Sequence, residues 1–308
     1  MANKYDRNNV HHAWQEMTSE DKRYAAEYLN ETDKIRETAI AEIRYWSKES
    51  DDFPAQIDDF LILRFLRVCK FDLEKTKIRI QNYYKQQSKL PEWYKNKDPF
   101  QPELQEILNL GVYLPLRKPD SQGRLVMLLR ITVHDPKRNK VSDMVKNYLL
   151  ALEAAIKYYP TTSIYGCSLL VDTSNPTVAH ITQAKPYEIM NVIQMWENCY
   201  PMRFQKIVFF NTPLIYDIIV KIVRSFMTAK MKSRFQVYSD ALHCFEDIPA
   251  NILPVEYGGT DGTLQELTEY WKKDIEENHD CLTKNENDQP IQTDEPEETN
   301  FEEIITHL

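Results

Sequence analysis

Apolar residues in roughly the first 95 positions recur at spacings of three and four, the period of an amphipathic helix. Thr18 and Thr32 stand before two such segments, and Asp58 and Asp72 stand before two more. Short polar side chains of this kind cap a helix by accepting a hydrogen bond from the backbone of its first turn. The pattern therefore predicts an N-terminal helical bundle over residues 1–95.

Beyond this bundle the pattern changes to short apolar runs separated by helical segments. The predicted strands cover residues 113–116, 124–131, 167–171, 206–210 and 235–238. The predicted helices cover residues 103–110, 141–159, 186–200, 212–232, 239–246 and 263–277. Short apolar runs without alternation are typical of parallel strands that are buried on both faces. Residues 96–277 are therefore predicted to form an α/β domain, with helices packed on a mostly parallel sheet.

Residues 212–232, which we call the lid segment, have a broad apolar face. Hydrophobic residues between Leu214 and Met227 recur at i, i+1, i+4 and i+5, and a basic run, KMKSR, follows at 230–234. One interpretation is an ordinary helix that covers the sheet and ends in solvated cations. The other is a mobile lid that closes an apolar cavity and can enter a membrane interface. The pattern alone leaves both interpretations open.

The formal net charge of −9 is concentrated at the C-terminal end of the chain. Twelve acidic residues and a single lysine lie in 274–308, so the remainder of the chain is close to neutral. Residues 278–308 are therefore predicted to be an acidic, disordered tail. A nucleic-acid-binding domain would carry a basic patch instead, so nucleic acid is not an expected partner.

Motifs for catalysis or cofactor binding are missing from the sequence. The six glycines form neither a phosphate-binding loop nor a dinucleotide fingerprint. No two histidines have the helical spacing of a zinc site, and there is no GxSxG motif. A cysteine–histidine pair assembled only by the fold stays open as an alternative. The sequence thus favours a binding protein without metal or cofactor over an enzyme.

Cysteine content and hydropathy bear on location. Five cysteines make an odd number without a CxxC pair, which favours free thiols in a reducing cytosol. The apolar runs are far shorter than the ~20 residues that span a bilayer. The N-terminus has no apolar stretch typical of a secretory signal. We expect a monomeric cytoplasmic protein that meets membranes transiently.

Several short motifs occur in a specific order along the chain. They are YP at 200–201, NTP at 211–213 at the end of a buried strand, LPVEYGG at 253–259, and, nearer the N-terminus, LRFLR at 63–67 with FDL at 71–73. In this order they resemble the CRAL-TRIO family of lipid-transfer proteins, over roughly residues 50–275. The resemblance is closest to the branch of α-tocopherol transfer protein and cellular retinaldehyde-binding protein.

The resemblance implies a sheet floored by helices, with the lid segment as a mobile cover over a lipid pocket. The pocket positions that it implies are apolar or aromatic. They are Val145, Tyr148, Leu152, Leu169, Val171, Val192, Met195, Trp196, Tyr200, Ile207, Phe209, Ile215, Ile218, Ile219 and Ile222. The same residue types serve equally well as ordinary core.

The resemblance also implies a membrane-facing basic cluster that binds a phosphoinositide. The cations assigned to it are Arg203, Lys206, Lys230, Lys232 and Arg234. Two basic positions of the related branch are occupied here by Cys69 and Gln205. Met202 stands where the phosphatidylinositol-carrying branch has a glutamate, which disfavours an inositol phospholipid as the enclosed cargo.

Together these features predict an intracellular carrier for a tocopherol-, retinoid- or carotenoid-like lipid that is released at membranes. Two other classes stay open: a lipid-sensing scaffold that recruits proteins through its acidic tail, and an enzyme with a site assembled by the fold. A phospholipid transfer protein is a further alternative. The expected partners are a small apolar lipid and an anionic membrane surface, with a phosphoinositide as a candidate on that surface.

Overall fold

The computed structural model describes residues 17–49, 53, 57–241, 245 and 248–283 of the 308-residue chain. Half of the residues of the helix predicted over 239–246 lie outside these residues, and the described half, 239–241 and 245, is not helical. The predicted tail from residue 284 onward also lies outside them. Within the described part of the chain, no helix is both long enough and apolar enough to span a bilayer.

Apart from one short turn at 91–94 that was not predicted, the N-terminal helices begin within one residue of where the sequence predicts. They are α1 (Ser19–Leu29), α2 (Asp33–Lys48), α3 (Asp59–Val68), α4 (Leu73–Lys89), the single turn α5 (Pro91–Tyr94) and α6 (Pro102–Leu110). Thr18, Thr32, Asp58 and Asp72 each accept a backbone hydrogen bond from the first turn of their helix. These caps satisfy backbone donors that the helix itself leaves unpaired.

A five-stranded, mostly parallel sheet forms the centre of the rest of the chain. Its strands are β1 (Tyr113–Pro115), β2 (Leu125–Arg130), β3 (Cys167–Asp172), β4 (Phe204–Phe210) and β5 (Phe235–Val237). They are adjacent in sequence order, with β1 antiparallel to β2 and the other pairs parallel. The predicted α/β class and mostly parallel sheet are confirmed.

Helices connect and cover the strands. They are α7 (Val141–Tyr158), α8 (Thr162–Tyr165), α9 (Val178–Gln183), α10 (Pro186–Gln194), α11 (Asp217–Phe226), α12 (Ala229–Lys232), α13 (Leu264–Glu277) and α14 (His279–Thr283). The last of these extends beyond the predicted domain end, and its Leu282 is buried, so any disordered tail begins later than residue 278.

The sequence predicts one continuous helix for the lid segment. The structure shows three separate pieces instead. A 3₁₀ turn (Leu214–Tyr216) leads into α11, and Thr228 then interrupts the helix and caps α12. The side chain of Glu197 accepts hydrogen bonds from both the backbone N–H and the hydroxyl of Thr228, at 3.0 and 2.9 Å. This contact holds Thr228 in an extended conformation that a continuous helix could not contain.

Buried ion pairs join the N-terminal helices to each other and to the sheet domain. Arg67 donates two hydrogen bonds to Glu31, each of 2.8 Å, and one of 2.6 Å to Ser163. Arg64 forms a bidentate pair with Glu153 of α7 at 2.9 and 3.1 Å. Charged groups buried together in this way fix the relative placement of the helices that carry them, since breaking either pair would strand a buried charge.

Candidate functional site

One row of side chains across the sheet forms the floor of an apolar cavity of about 220 Å³. Tyr113, Leu129, Val171 and Phe209 are successive neighbours in the strand register, from β1 to β4. All four line the cavity. They lie near the carboxyl ends of the parallel strands, which is where open α/β sheets place their ligands.

Two helices supply the walls. On α7 the lining residues recur at three- and four-residue spacing, so they form one stripe: Val141, Met144, Val145 and Tyr148. The second wall comes from α10 and from the π-helical turn Met195–Cys199 that continues it. Its lining residues are Glu188, Ile189, Val192, Ile193, Met195 and Trp196.

Arg79 of α4 holds this π-helical turn in place. Its guanidinium donates to the backbone carbonyl of Tyr200 at 2.7 Å and also reaches the carbonyls of Trp196 and Glu197. These carbonyls lie at the C-terminal end of the turn, where the helix offers no partners of its own. The N-terminal bundle thus fixes the cavity wall that carries Met195 and Trp196.

The lid segment covers the cavity with only part of its apolar surface. Tyr216, Ile219 and Val223 face the cavity. Leu214 is 86% exposed and Ile218 is 57% exposed, and Ile215 is also exposed. The broad apolar face predicted from the sequence therefore consists of a narrow inner stripe and a separate outer surface.

The structure places eight of the fifteen predicted pocket residues at the cavity: Val145, Tyr148, Val171, Val192, Met195, Trp196, Phe209 and Ile219. The other seven are not among the lining residues. They are Leu152, Leu169, Tyr200, Ile207, Ile215, Ile218 and Ile222. Whether the eight contact a ligand stays a prediction.

The predicted sheet residues share the face that lines the cavity, but some of them lie deeper along the strands than the cavity extends. Leu169 and Ile207 form the next row on the same face, two residues toward the amino ends of the strands, and both are fully buried. Leu152 lies one turn beyond Tyr148 and is likewise fully buried. Tyr200 donates its hydroxyl to Glu153 and packs under Arg64, outside the cavity. These side chains are solid core beneath the cavity.

A polar group that the sequence did not reveal lies at the cavity wall. His134, His180, Gln183 and Glu188 all line it. Gln183 donates through Nε2 to the carbonyls of Pro136 and Asn139, so its oxygen must accept from Nε2 of His134 at 2.8 Å. Nε2 of His134 therefore carries a hydrogen, and in the neutral ring Nδ1 is left as an acceptor.

His180 and Glu188 show how burial affects this polar group. Nδ1 of His180 accepts from the backbone N–H of Thr177, so its Nε2 donates to the carbonyl of His134. Burial lowers the pKa of His180, which keeps it neutral. Burial likewise raises the pKa of Glu188. His180 is thus satisfied by its neighbours, whereas Nδ1 of His134 has no partner among the described residues.

Three of the predicted membrane cations, Arg203, Lys230 and Arg234, come together near the amino ends of β4 and β5, at the opposite edge of the sheet from the cavity floor. Burial and the nearby guanidinium groups of Arg234 and Arg67 lower the pKa of Arg203, to about 10. Its Nε and Nη2 are buried and have no hydrogen-bond partner among the described residues. Burial and the charges of Arg234 and Arg203 also lower the pKa of Lys230. Mutual repulsion of this kind marks a place where an anion would be stabilised.

The remaining two predicted cations are not part of this cluster of three. Lys206 is half-buried in β4, and Lys232 is exposed at the end of α12.

A family model described as "CRAL/TRIO domain" matches residues 110–259, the part of the chain that contains the sheet, the cavity and the lid segment. This chain contains a CRAL/TRIO domain. A second model, described as "Pinta-like, UBA domain", matches residues 32–104. The family suggested by the motif order is therefore confirmed. This family consists of lipid-binding and transfer proteins, so the prediction that the chain is not an enzyme is confirmed at the level of the family.

Curated relatives of this chain include the mouse "Alpha-tocopherol transfer protein-like", 29% identical over 70% of this chain and 63% of the relative. They also include the rat "Clavesin-2", 28% identical over 75% of this chain and 71% of the relative. The match thus spans less than two thirds of the mouse protein's length. Among solved structures, "Crystal structure of Sfh5" has a TM-score of 0.47 and 14% identity, covering 82% of this chain and 92% of that one.

Proposed function

We propose that this protein binds one small apolar lipid, of the tocopherol, retinoid or carotenoid type, and transfers it between membranes. The observation that carries the proposal is the apolar cavity between the sheet, α7, α10 and α11. Burial of apolar surface contributes ~0.8 kcal/mol per CH₂ group, so an enclosed lipid would rarely leave into water unaided.

The size of the cavity indicates that its walls must move to take such a cargo. At about 220 Å³ the cavity is smaller than the volume of about 300–1,000 Å³ that is typical of small-molecule sites. The sheet row is backed by fully buried core, so it cannot retreat without disrupting that core. The lid segment, which reaches the cavity with only three side chains, is the wall that can shift outward.

The outer surface of the lid segment supports release at a membrane. Leu214, Ile215 and Ile218 are exposed on the same segment that carries the exposed cations Lys221, Arg224 and Lys230. Apolar residues flanked by cations are the surface that an interfacial helix presents to an anionic bilayer. In a bilayer the lid could open without exposing its inner stripe to water, because both faces would then contact lipid.

Native mass spectrometry followed by lipid extraction tests the proposal. The full chain, purified from eukaryotic cells, should carry one lipid per protein chain, and vesicle-to-vesicle transfer of that lipid should be accelerated by the protein. Recovery of a chemically altered lipid would favour the enzyme alternative. A chain that carries no lipid and accelerates no transfer would contradict the proposal.

We further propose that the Arg203–Lys230–Arg234 cluster binds an anionic headgroup at the membrane surface, with a phosphoinositide as the candidate. The unpartnered guanidinium nitrogens of Arg203 support this, because a phosphate oxygen would satisfy them. The repulsion among these cations would also be relieved by a bound anion.

Lys230→Glu should weaken binding to phosphoinositide-containing vesicles about tenfold, since reversing one juxtamembrane cation changes about 1–2 kcal/mol of attraction. Lys232→Glu is the matched control, with the same charge change on the same short helix. Residues two apart on a helix point in different directions, so its effect should be under about threefold. Cosedimentation would measure both, and equal losses would mean that only overall charge matters.

A further inference from the structure

Four buried polar atoms without hydrogen-bond partners belong to residues that line the cavity. They are Nδ1 of His134, the hydroxyl of Tyr148, Oε2 of Glu188 and Nε1 of Trp196, each unpaired among the described residues. His134, Tyr148 and Trp196 are all more than nine-tenths buried. Native proteins seldom leave buried polar atoms unpaired, so four around one cavity require an explanation.

The elements that carry the four residues place them toward two ends of the cavity. Glu188 and Trp196 are eight residues apart along α10 and its π-helical continuation, a separation of about 12 Å at 1.5 Å per residue. His134 donates a hydrogen bond to Gln183, which lies just before the start of α10. His134 is therefore placed toward the same end of the cavity as Glu188, which lies in the first turn of α10.

Tyr148 lies at the other end. The Trp196 indole is near enough to the Tyr148 hydroxyl to influence its pKa, which burial raises well above the usual value. The indole N–H opposes this rise as a weak hydrogen-bond donor, but the contact does not satisfy either group by the usual distance and angle, so both retain an unfilled hydrogen-bonding capacity. Along the axis of α7, Tyr148 is about 10 Å from Val141, the lining residue at the start of that helix. Tyr148 therefore lies at the far end of the α7 wall.

The surfaces between these two ends are apolar. Val145, Val192 and Ile219 face the middle of the cavity from three different elements, and Phe209 and Val171 close it from the sheet. A ligand that fits this distribution has an apolar body with a polar group at each end.

We propose that the cargo is a bipolar lipid, with an apolar middle and one oxygen function at each end, bound by His134 and Glu188 at one end and by Tyr148 and Trp196 at the other. This inference rests on the proposed function, because it specifies the chemical class of the same cargo. The two ends differ in what they offer. Trp196 only donates and Nδ1 of His134 only accepts, whereas Tyr148 can do both.

A hydroxyl group on the cargo satisfies either end. It would donate to Nδ1 of His134 and could also pair with the Glu188 carboxyl, and at the far end it would accept from the Trp196 indole. A carbonyl oxygen suits only the Tyr148–Trp196 end, because it cannot donate to His134. A wholly apolar molecule would leave all four atoms unpaired, which is costly inside a protein.

The test compares three probes of equal chain length: an α,ω-diol whose oxygens are about 10–12 Å apart, matching the separation along the helices, the corresponding mono-alcohol and the alkane. In a purely apolar cavity, a second buried hydroxyl without a partner would weaken binding about tenfold to hundredfold. The diol should instead bind at least as tightly as the mono-alcohol, as measured by calorimetry on the full-length protein.

Two variants remove one end each. Glu188→Leu and Trp196→Phe should each weaken diol binding about threefold to tenfold relative to alkane binding by the same variant, since any change in the shape of the cavity affects both probes. Glu37→Leu, at an exposed position on α2, is the control and should change neither.

The outcomes separate this inference from the function on which it rests. A diol that binds tenfold more weakly than the mono-alcohol, with alkane binding retained, would overturn the bipolar cargo but leave lipid binding intact. If neither variant affects diol binding, the bipolar cargo is likewise overturned and lipid binding stays intact, because ordered water would then satisfy the four atoms. Failure of all three probes, in a protein that also carries no lipid when purified, would overturn the proposed function itself.

Discussion

Val192→Trp is expected to abolish cargo retention while preserving the fold. Val192 lines the cavity from α10 and is only partly buried, so the helix can carry a larger side chain there. The indole would occupy space equivalent to about four CH₂ groups of cargo, which removes ~3 kcal/mol of burial and lowers affinity more than hundredfold. Lipid content after purification, measured by native mass spectrometry, is the direct observable.

The matched control for this experiment is Val178→Trp. Val178 is 68% exposed on α9 and does not line the cavity, so the same substitution there should leave lipid content unchanged. Thermal unfolding of both variants shows whether the fold is intact. Equal lipid content in the two variants, with both folded, would mean that the cargo does not occupy this cavity.

These variants replace the ones that the sequence alone would suggest. Leu152 and Ile207 share the apolar type and spacing of true lining residues, but both are completely buried in core. A tryptophan at either position would overpack that core and destabilise the protein, so a loss of lipid would be uninformative. Periodicity identifies which face of a strand or helix is buried, but not how far along that face the packing is solid.

The helix caps and the strands were predictable because their signals are local. Thr18 and Asp58 cap their helices through their own side chains, and short apolar runs become strands wherever they are buried. Thr228 shows the limit of such signals. Its interruption of the lid segment depends on Glu197, a residue 31 positions earlier that only the fold brings near.

The polar ends of the cavity could not have been found from the sequence. His134 lies in a loop and Glu188 in the first turn of a helix, positions where polar residues are expected for ordinary reasons. Tyr148 and Trp196 were predicted as pocket residues, but only as apolar surface. That their polar atoms lack partners is a property of the packed structure, since it depends on every neighbour within hydrogen-bond distance.

The two apolar surfaces of the lid segment should be separable by mutating adjacent residues. Ile219→Asp places a carboxylate on the inner stripe, where Ile219 is buried against the cavity. Closing the lid would then bury a charge without a partner, at a cost of several kcal/mol, so lipid retention should fall at least hundredfold. Ile218→Asp alters the outer surface, where the new charge stays in water. It should retain lipid normally but transfer it to vesicles about tenfold more slowly.

The pH dependence of Ile219→Asp provides an independent check on this assignment. Burial disfavours the charged form, so the pKa of the new carboxyl in the closed lid should lie above the ordinary value of about 3.9. Lowering the pH through that raised pKa protonates the group and removes the cost of closure, so retention should recover in mildly acidic buffer. Ile218→Asp should show no such recovery, because its carboxyl is exposed. Equal behaviour of the two folded variants at every pH would show that the lid segment does not distinguish an inner from an outer surface, and that its apolar pattern is ordinary core packing.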